Sequence, residues 1–295
     1  MLAPGVYPAS VTPFDARGRL DGPGLARVLA WFEASGCRGA VLAGTNGEGP
    51  SLSAGEKRDL ARLSTSLRGE LAIILGLATS SLEEAVWLAR HGAEAGAVAV
   101  LALPPSYFKP VDPIALRDWF LALLDRSPLP VLAYNFPQKT GVPLDADLLA
   151  ALAAHPNLAG AKDSSGEAAN LAVWADVFLP QGKQMFVGDE TLLLDALRAG
   201  WSGTISGAAN VVPDWLSAIV EDWFAGRRES AEGKFELLLP VIRAIRSKPQ
   251  PATNKALLHG LGVLPSSDVR LPLLGAGDVG ELEGLIAARL GPRKS

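Results

Sequence analysis

LAGAKD, residues 158–163, is an apolar run that ends in two opposite charges. Nothing in Leu158, Ala159, Gly160 or Ala161 offers a polar side chain to solvent. A strand on a half-exposed sheet alternates apolar and polar residues, whereas a strand covered on both faces reads as continuously apolar. LAGAKD therefore reads as a buried parallel strand. Seven other runs share its character: VYPASVT from Val6, GAVLAG from Gly39, AIILGLA from Ala72, AVAVLAL from Ala97, PVLAYN from Pro130, QMFVGD from Gln184 and GTISGA from Gly203.

Helical periods separate these runs. Leu25, Val28, Leu29 and Phe32 fall at i, i+3, i+4 and i+7, and Leu82, Ala85, Val86 and Ala89 repeat the spacing. Ser53 with Glu56, and Ser80 with Glu83, have the spacing of a capping box at a helix start. Gly36, Gly69, Gly96 and Gly200 each stand where a periodic stretch ends. Eight strand–helix units predict an α/β protein with a (β/α)8 barrel in preference to an open doubly wound sheet. Beyond about residue 214 strand signals stop. Helical stretches around 215–224, 230–246, 252–262 and 279–290 predict a C-terminal helical appendage. The expected division is a barrel core over 1–213 and a helical region over 214–295 packed on it.

Composition narrows the function classes. The 295 residues carry 27 basic and 31 acidic side chains, a net charge of −4, which gives no electrostatic footprint for nucleic acid or an anionic membrane. Hydrophobic residues make up 48% and charged residues 20%, as in a soluble globular chain with a large core. Cys37 is the single cysteine, so no intrachain disulfide can form and a reducing compartment is expected. The first residues, MLAPGVYPASVTPFDARG, lack a basic start and an apolar core of the signal-peptide kind. The longest apolar run, residues 96–103, falls well short of the roughly 20 residues a membrane-spanning helix needs. The sequence thus reads as soluble and cytoplasmic.

In a barrel of this type the chemistry stands at the C-terminal ends of the strands. The second strand runs into GTNGE (44–48), the fourth towards Tyr107, and the fifth into YNFPQKTG (134–141), which carries Tyr134 and Lys139. The sixth ends in Lys162 and DSSG, the seventh in GDE (188–190), and the eighth holds Gly203, Ile205 and Ser206. No other lysine follows a strand pattern. An ammonium stripped of water gives up its proton more readily, and an uncharged amine adds to ketones. A snorkelling lysine, or one paired with Asp163, is the plain structural alternative. GTNGE offers hydroxyl, amide and backbone N–H donors suited to a small carboxylate, though an ordinary strand–helix turn explains it equally well when taken alone. His91, His155 and His259 lie far apart and form no H-x-H or H-E-x-x-H pair, so no metal site is expected. No strict G-x-G-x-x-G and no Walker A motif occurs, and no cofactor is expected.

Taken in order along the strands, GTNGE, Tyr107, YNFP, AKDSSG, GDE and GTISGAAN resemble the dihydrodipicolinate synthase / N-acetylneuraminate lyase family, class I pyruvate-type aldolases on a TIM barrel. The resemblance spans nearly the whole chain, including KPQPATNKALLHGLG (248–262) and VRLPL (269–273). It implies that Lys162 forms a Schiff base and that Tyr134 shuttles protons to and from the covalent intermediate. It implies that Thr45 and Asn46 hold the substrate carboxylate and that Gly188 and Ile205 line the pocket. Tyr107 matches a tyrosine that, in the synthases, reaches a neighbouring subunit's proton relay, and a homotetramer of tight dimers is implied with it.

Two positions depart from the synthases of this family. Lys139 stands where their loop carries an arginine, and a lysine offers a point charge in place of a two-pronged fork. Asn46 stands where they have threonine, so that GTNGE looks closer to the G-S-N-G-E of some hydroxy-oxoglutarate aldolases. Lys139 reads either as a looser anion contact or as a solvated loop charge. The expected function is a Schiff-base lyase or aldolase acting on pyruvate, or a 2-oxo acid that yields it, and an aldehyde. A 2-keto-3-deoxy sugar acid aldolase or a 4-hydroxy-2-oxoglutarate aldolase would fit. The alternative within the family is 4-hydroxy-tetrahydrodipicolinate synthase, condensing pyruvate with aspartate semialdehyde. The alternative of another class is a non-catalytic barrel that binds a small molecule, against which stands the joint presence of Lys162, Tyr134, Thr45 and Glu48.

Overall fold

A computed structural model describes residues 2–291. Strands β1 (Gly5–Pro8), β2 (Gly39–Leu42), β3 (Ala72–Gly76) and β4 (Ala99–Ala102) alternate with helices α1 (Gly22–Ala34), α2 (Ala54–Leu67), α3 (Leu82–Ala95) and α4 (Pro113–Arg126). Next come β5 (Val131–Asn135), a single turn α5 (Pro137–Thr140), α6 (Ala146–Ala153), β6 (Leu158–Asp163), α7 (Ala169–Phe178), β7 (Gln184–Val187), α8 (Leu193–Arg198) and β8 (Gly203–Ser206). The chain ends with α9 (Pro213–Phe224), α10 (Arg228–Arg246), α11 (Ala252–Gly260) and α12 (Gly280–Leu290). All pairings between neighbouring strands are parallel, in the order β1-β8-β7-β6-β5-β4-β3-β2. A parallel bridge between Ala9 and Val41 completes the ring. This bridge joins the two end strands of that order, β1 and β2, and so excludes an open sheet: the fold is the expected (β/α)8 barrel, with further helices following it in the chain. Helix α9 packs on β1, and α10 packs on α9 and α12.

Two apolar clusters hold the barrel. Tyr7, Val41, Ile74, Leu101, Leu132, Phe186 and Ile205 fill its interior. The larger cluster lies between the strands and the surrounding helices. Strand side chains alternate between the two. On β5, Val131 and Ala133 face the helices while Leu132 and Tyr134 face the interior. The same alternation on β6 puts Lys162 and Asp163 on opposite faces.

Most local start and stop signals fall in register with the helices. Ser53 caps α2 and exchanges hydrogen bonds with Glu56 in a full capping box. Gly36, Gly69, Gly96 and Gly200 all adopt positive φ at helix ends. The start of α3 is shifted by one residue from expectation. Ser81, not Ser80, caps it by accepting from the N–H of Glu84, while the Ser80 hydroxyl accepts instead from the N–H of Ser106.

Candidate active site

At the C-terminal mouth of the barrel lies a cavity of about 310 Å³. Thr45 and Asn46 from the β2 loop, Tyr134 from β5, Phe136 just after it, and Lys139 from α5 line one part of it. Lys162 and Ser164, Gly188 and Glu190, and Gly207 continue the wall, and Ile245, Arg246, Lys248 and Gln250 close it from the end of α10. Tyr134 and Lys162 are register partners on adjacent strands. The Lys162 side chain is 5% exposed, and its Nζ lies 4.2 Å from the centroid of the Tyr134 ring. The Ser164 hydroxyl stands 3.5 Å from the Tyr134 hydroxyl.

Burial does not by itself single out Lys162, because Lys57 and Lys255 are buried too. Their surroundings differ. Lys57 donates to the carbonyls of Leu77 and Ala78 and pairs with Glu84. Burial pushes its pKa down, with Glu84 opposing. Lys255 pairs with Glu48 at 2.5 Å and donates to the Asp268 carbonyl. Burial lowers its pKa as well, again against the neighbouring carboxylate. Lys162 has neither a carboxylate nor a carbonyl partner among the described residues. The structural alternative of a pair with Asp163 is ruled out by that aspartate's own bonds: it accepts from Asn135, from the N–H and hydroxyl of Ser165, and from Asn170. An amine left without a partner in a cavity is a group poised to react rather than one neutralised by structure.

Two glycines make room for this arrangement. A Cβ on Gly188 would stand 2.0 Å from the Ser164 hydroxyl and 2.8 Å from Lys162 Cε. A Cβ on Gly49 would meet the Ala43 carbonyl oxygen at 1.9 Å. The loop from 43 to 49 is consequently tight, and Ala43 and Glu48 both take positive φ within it. Such strain at a loop that presents polar groups to a cavity has to be held by surrounding structure. Glu48 supplies part of that hold, through Lys255 and through the N–H of Arg270.

Glu190 and Arg246 form a second charged pair at the wall. The Arg246 guanidinium meets Glu190 Oε2 at 2.8 Å and Asp189 Oδ2 at 2.7 Å. Burial works against a charged Glu190. Arg246, the Ser206 hydroxyl and the Ala208 N–H nonetheless hold its carboxyl below the usual carboxylate range. The charge of Arg246 is thus spent within the wall. Lys139 and Lys248 are exposed cations of the lining whose amines make no ion pair or hydrogen bond among the described residues.

Thr45, Asn46, Tyr134, Lys139, Lys162 and Gly188 therefore meet at one cavity. Ile205 is fully buried in the barrel interior and is not one of the lining residues. Tyr107 lies in the loop after β4, 81% exposed and edge-to-face with the equally exposed Phe108, away from the lining. Sequence reasoning missed Arg246, Lys248 and Gln250, because the region beyond residue 214 read as an appendage. The segment KPQP was the available signal, since two prolines stop a helix abruptly and turn the chain back. The three histidines take up structural bonds: His91 with Glu94, His155 with Asp125 and His259 with the Leu264 carbonyl.

A (β/α)8 barrel whose cavity at the strand ends holds a buried lysine, with no ionic partner among the described residues, has the layout of a lyase-type enzyme of the class I aldolase kind. The pattern of the Dihydrodipicolinate synthetase family matches residues 3–282, and the chain belongs to that family. It is 32% identical over 281 residues, covering 95% of both chains, to a protein of Methanosarcina acetivorans named 4-hydroxy-tetrahydrodipicolinate synthase. Among solved structures it resembles YagE, a prophage protein of the dihydrodipicolinic acid synthase family from E. coli K12, in complex with pyruvate. The TM-score there is 0.93 at 26% identity, over 99% of this chain and all of that one. A monomeric dihydrodipicolinate synthase variant superposes with a TM-score of 0.90 at 27% identity, over 97% and 96% of the two chains. No helix among the described residues is long and apolar enough to cross a membrane.

Proposed function

We propose that this enzyme joins pyruvate to an aldehyde, or releases pyruvate by the reverse cleavage, through a Schiff base on Lys162. The observation that carries this reading is the Lys162 amine itself: buried, free of ionic partners among the described residues, and in the wall of the cavity over the Tyr134 ring. In its uncharged form the amine adds to the keto carbon, and loss of water gives a protonated imine. The imine draws electrons from the neighbouring methyl carbon, which loses a proton and becomes an enamine. The enamine carbon attacks the aldehyde, whose oxygen takes up a proton. Water then adds to the imine and frees the product. A phenol can both give and accept a proton, and Tyr134 does both here. Thr45 and Asn46 hold the carboxylate, and Gly188 leaves the lysine stem its path.

Lys139 and Lys248 support an aldehyde that itself carries an anionic group, because two unneutralised cations face the mouth. Glyoxylate satisfies this as the partner of a 4-hydroxy-2-oxoglutarate aldolase, and so does aspartate semialdehyde, whereas the aldehyde released from a 2-keto-3-deoxy sugar acid is uncharged and makes no use of these cations. The second reading is 4-hydroxy-tetrahydrodipicolinate synthase, with aspartate semialdehyde as partner. It is supported by the name of the Methanosarcina relative, which aligns over nearly the full chain. The reading extends to a cytoplasmic homotetramer built from dimers, supported by the exposure of Tyr107 and Phe108 on one loop.

Incubation with pyruvate and borohydride tests the common step. A reduced three-carbon adduct should appear on Lys162 and vanish in Lys162→Ala. An adduct elsewhere, or none, overturns the mechanism. Turnover with glyoxylate, glyceraldehyde, N-acetylmannosamine and aspartate semialdehyde then separates the readings. Preference for the semialdehyde would favour the synthase.

A further inference from the structure

Asn254 sits near the start of α11, fully buried, at the floor of the Asn46 side chain. Its Nδ2 donates to the Gly207 carbonyl oxygen at 2.9 Å and to Asn46 Oδ1 at 3.0 Å. A carbonyl oxygen only accepts, so the atom that Asn254 turns to Gly207 must be its NH2 group. That same NH2 faces Asn46, which must answer with its oxygen. The order of oxygen and nitrogen in Asn46 is thereby dictated by a main-chain carbonyl one step away. The other end of the Asn46 amide, Nδ2, lies close to Gly207, where a Cβ would stand 2.8 Å from it. Asn46 and Gly207 both line the cavity.

We propose that Asn254 is a positioning residue for substrate binding: it locks Asn46 with its NH2 group towards the cavity, ready to donate to the carboxylate of a 2-oxo acid. The proposal rests on the reading of Thr45 and Asn46 as the carboxylate site. A carboxylate only accepts hydrogen bonds, so an Asn46 turned over would meet it with lone pairs instead of donors. The neighbouring Lys255 anchors Glu48 of the same loop. Two consecutive residues of α11 thus grip the 44–49 loop, one at Asn46 and one at Glu48. The helical region after the barrel is in this way part of the binding apparatus.

Asn254→Asp tests the proposal at constant shape. An ionised carboxylate at 254 can only accept, which turns the Asn46 NH2 inward and its oxygen to the cavity; burial favours the protonated acid, whose O–H can donate, so the uncharged Asn254→Leu is measured beside it. The readout is the pyruvate dependence of borohydride trapping on Lys162, which needs no second substrate. Half-saturating pyruvate should rise about 10-fold or more, as expected for loss of a charge-assisted hydrogen bond. The trapping rate at saturating pyruvate should stay within about threefold of wild type, since the chemistry on Lys162 is untouched. Asn254→Leu, which removes the donor without adding charge, should show the same split to a lesser degree. In an Asn46→Thr background, Asn254→Asp should lose most of its effect, because a residue acting through Asn46 cannot act when it is gone. An unchanged pyruvate dependence in both Asn254→Asp and Asn254→Leu, or equal effects in both backgrounds, overturns the proposal. If Asn46→Ala alone leaves pyruvate binding unchanged, the carboxylate reading falls, and the proposal with it.

Discussion

The Lys162 amine stands 4.2 Å from the centre of the Tyr134 ring, on the neighbouring strand and at the same level of the barrel. The ring face attracts a cation, and the hydroxyl beyond it can exchange protons with whatever the amine binds. Tyr134→Phe separates these two contributions, because it keeps the ring and removes the hydroxyl. Turnover should fall about 10²-fold or more while the thermal midpoint stays near wild type. The Lys162 adduct should still be trapped, only more slowly. Normal turnover would leave Tyr134 a packing residue.

Gly188 is the second lever on Lys162. A methyl group there would intrude on both the Ser164 hydroxyl and Lys162 Cε. Gly188→Ala should therefore displace the amine by a fraction of an ångström to about 1 Å, a misplacement that can cost on the order of 10²-fold in rate. Adding Ser164→Ala removes the nearer of the two clashes and should restore part of the loss. If single and double variants are equally impaired, the lysine stem alone carries the effect; if neither is impaired, the tight wall is not required.

The barrel was legible because strand burial and helix period leave separate marks on a sequence. All eight apolar runs became strands, and even the strand ends held within a few residues. The lysine of LAGAKD was legible for the same reason: a charge at the end of a doubly covered strand has few places to go. The burial of Lys57 and Lys255 was not legible, since each lies on a helix and owes its burial to a partner distant in sequence, Glu84 in one case and Glu48 in the other. Asn254 and Arg246 escaped for a related cause. Helical pattern says which face is apolar, but not that a helix after the barrel swings back over the mouth. The one-residue slip at Ser80 had a local cause, because two adjacent serines satisfy the same start signal and only the backbone chooses between them.

The Glu48–Lys255 pair is fully buried on both sides. Removing one partner strands the other, and an uncompensated buried charge costs about 3–5 kcal/mol. Lys255→Met should therefore destabilise the protein by about that amount in urea unfolding and slow turnover, since Glu48 belongs to the loop that carries Thr45 and Asn46. Glu48→Gln combined with Lys255→Met leaves no charge behind and should recover part of the stability. A double variant as unstable as the sum of the singles would mean the two residues act independently.

Acid should loosen the far end of the same network at Glu56. The Arg270 guanidinium meets Glu56 Oε1 at 2.6 Å and, outweighing the effect of burial and helped by Ser53, holds its carboxyl down at about 2, against an ordinary value of 4.5. A carboxyl whose pKa is depressed by folding stabilises the native state fully above its unfolded value. That contribution fades as pH falls towards the folded value. The window here is from 4.5 down to about 2. Wild type should exceed Glu56→Gln in stability by a constant margin at neutral pH, and the margin should shrink through that window, as read from denaturant midpoints at successive pH values. Glu56 is a third exposed, so added salt should narrow the margin at neutral pH as well. A margin that persists unchanged to pH 2 would assign the contact to packing and neutral hydrogen bonding, leaving the ionic attraction to Arg270 no part in securing residue 270 to α2.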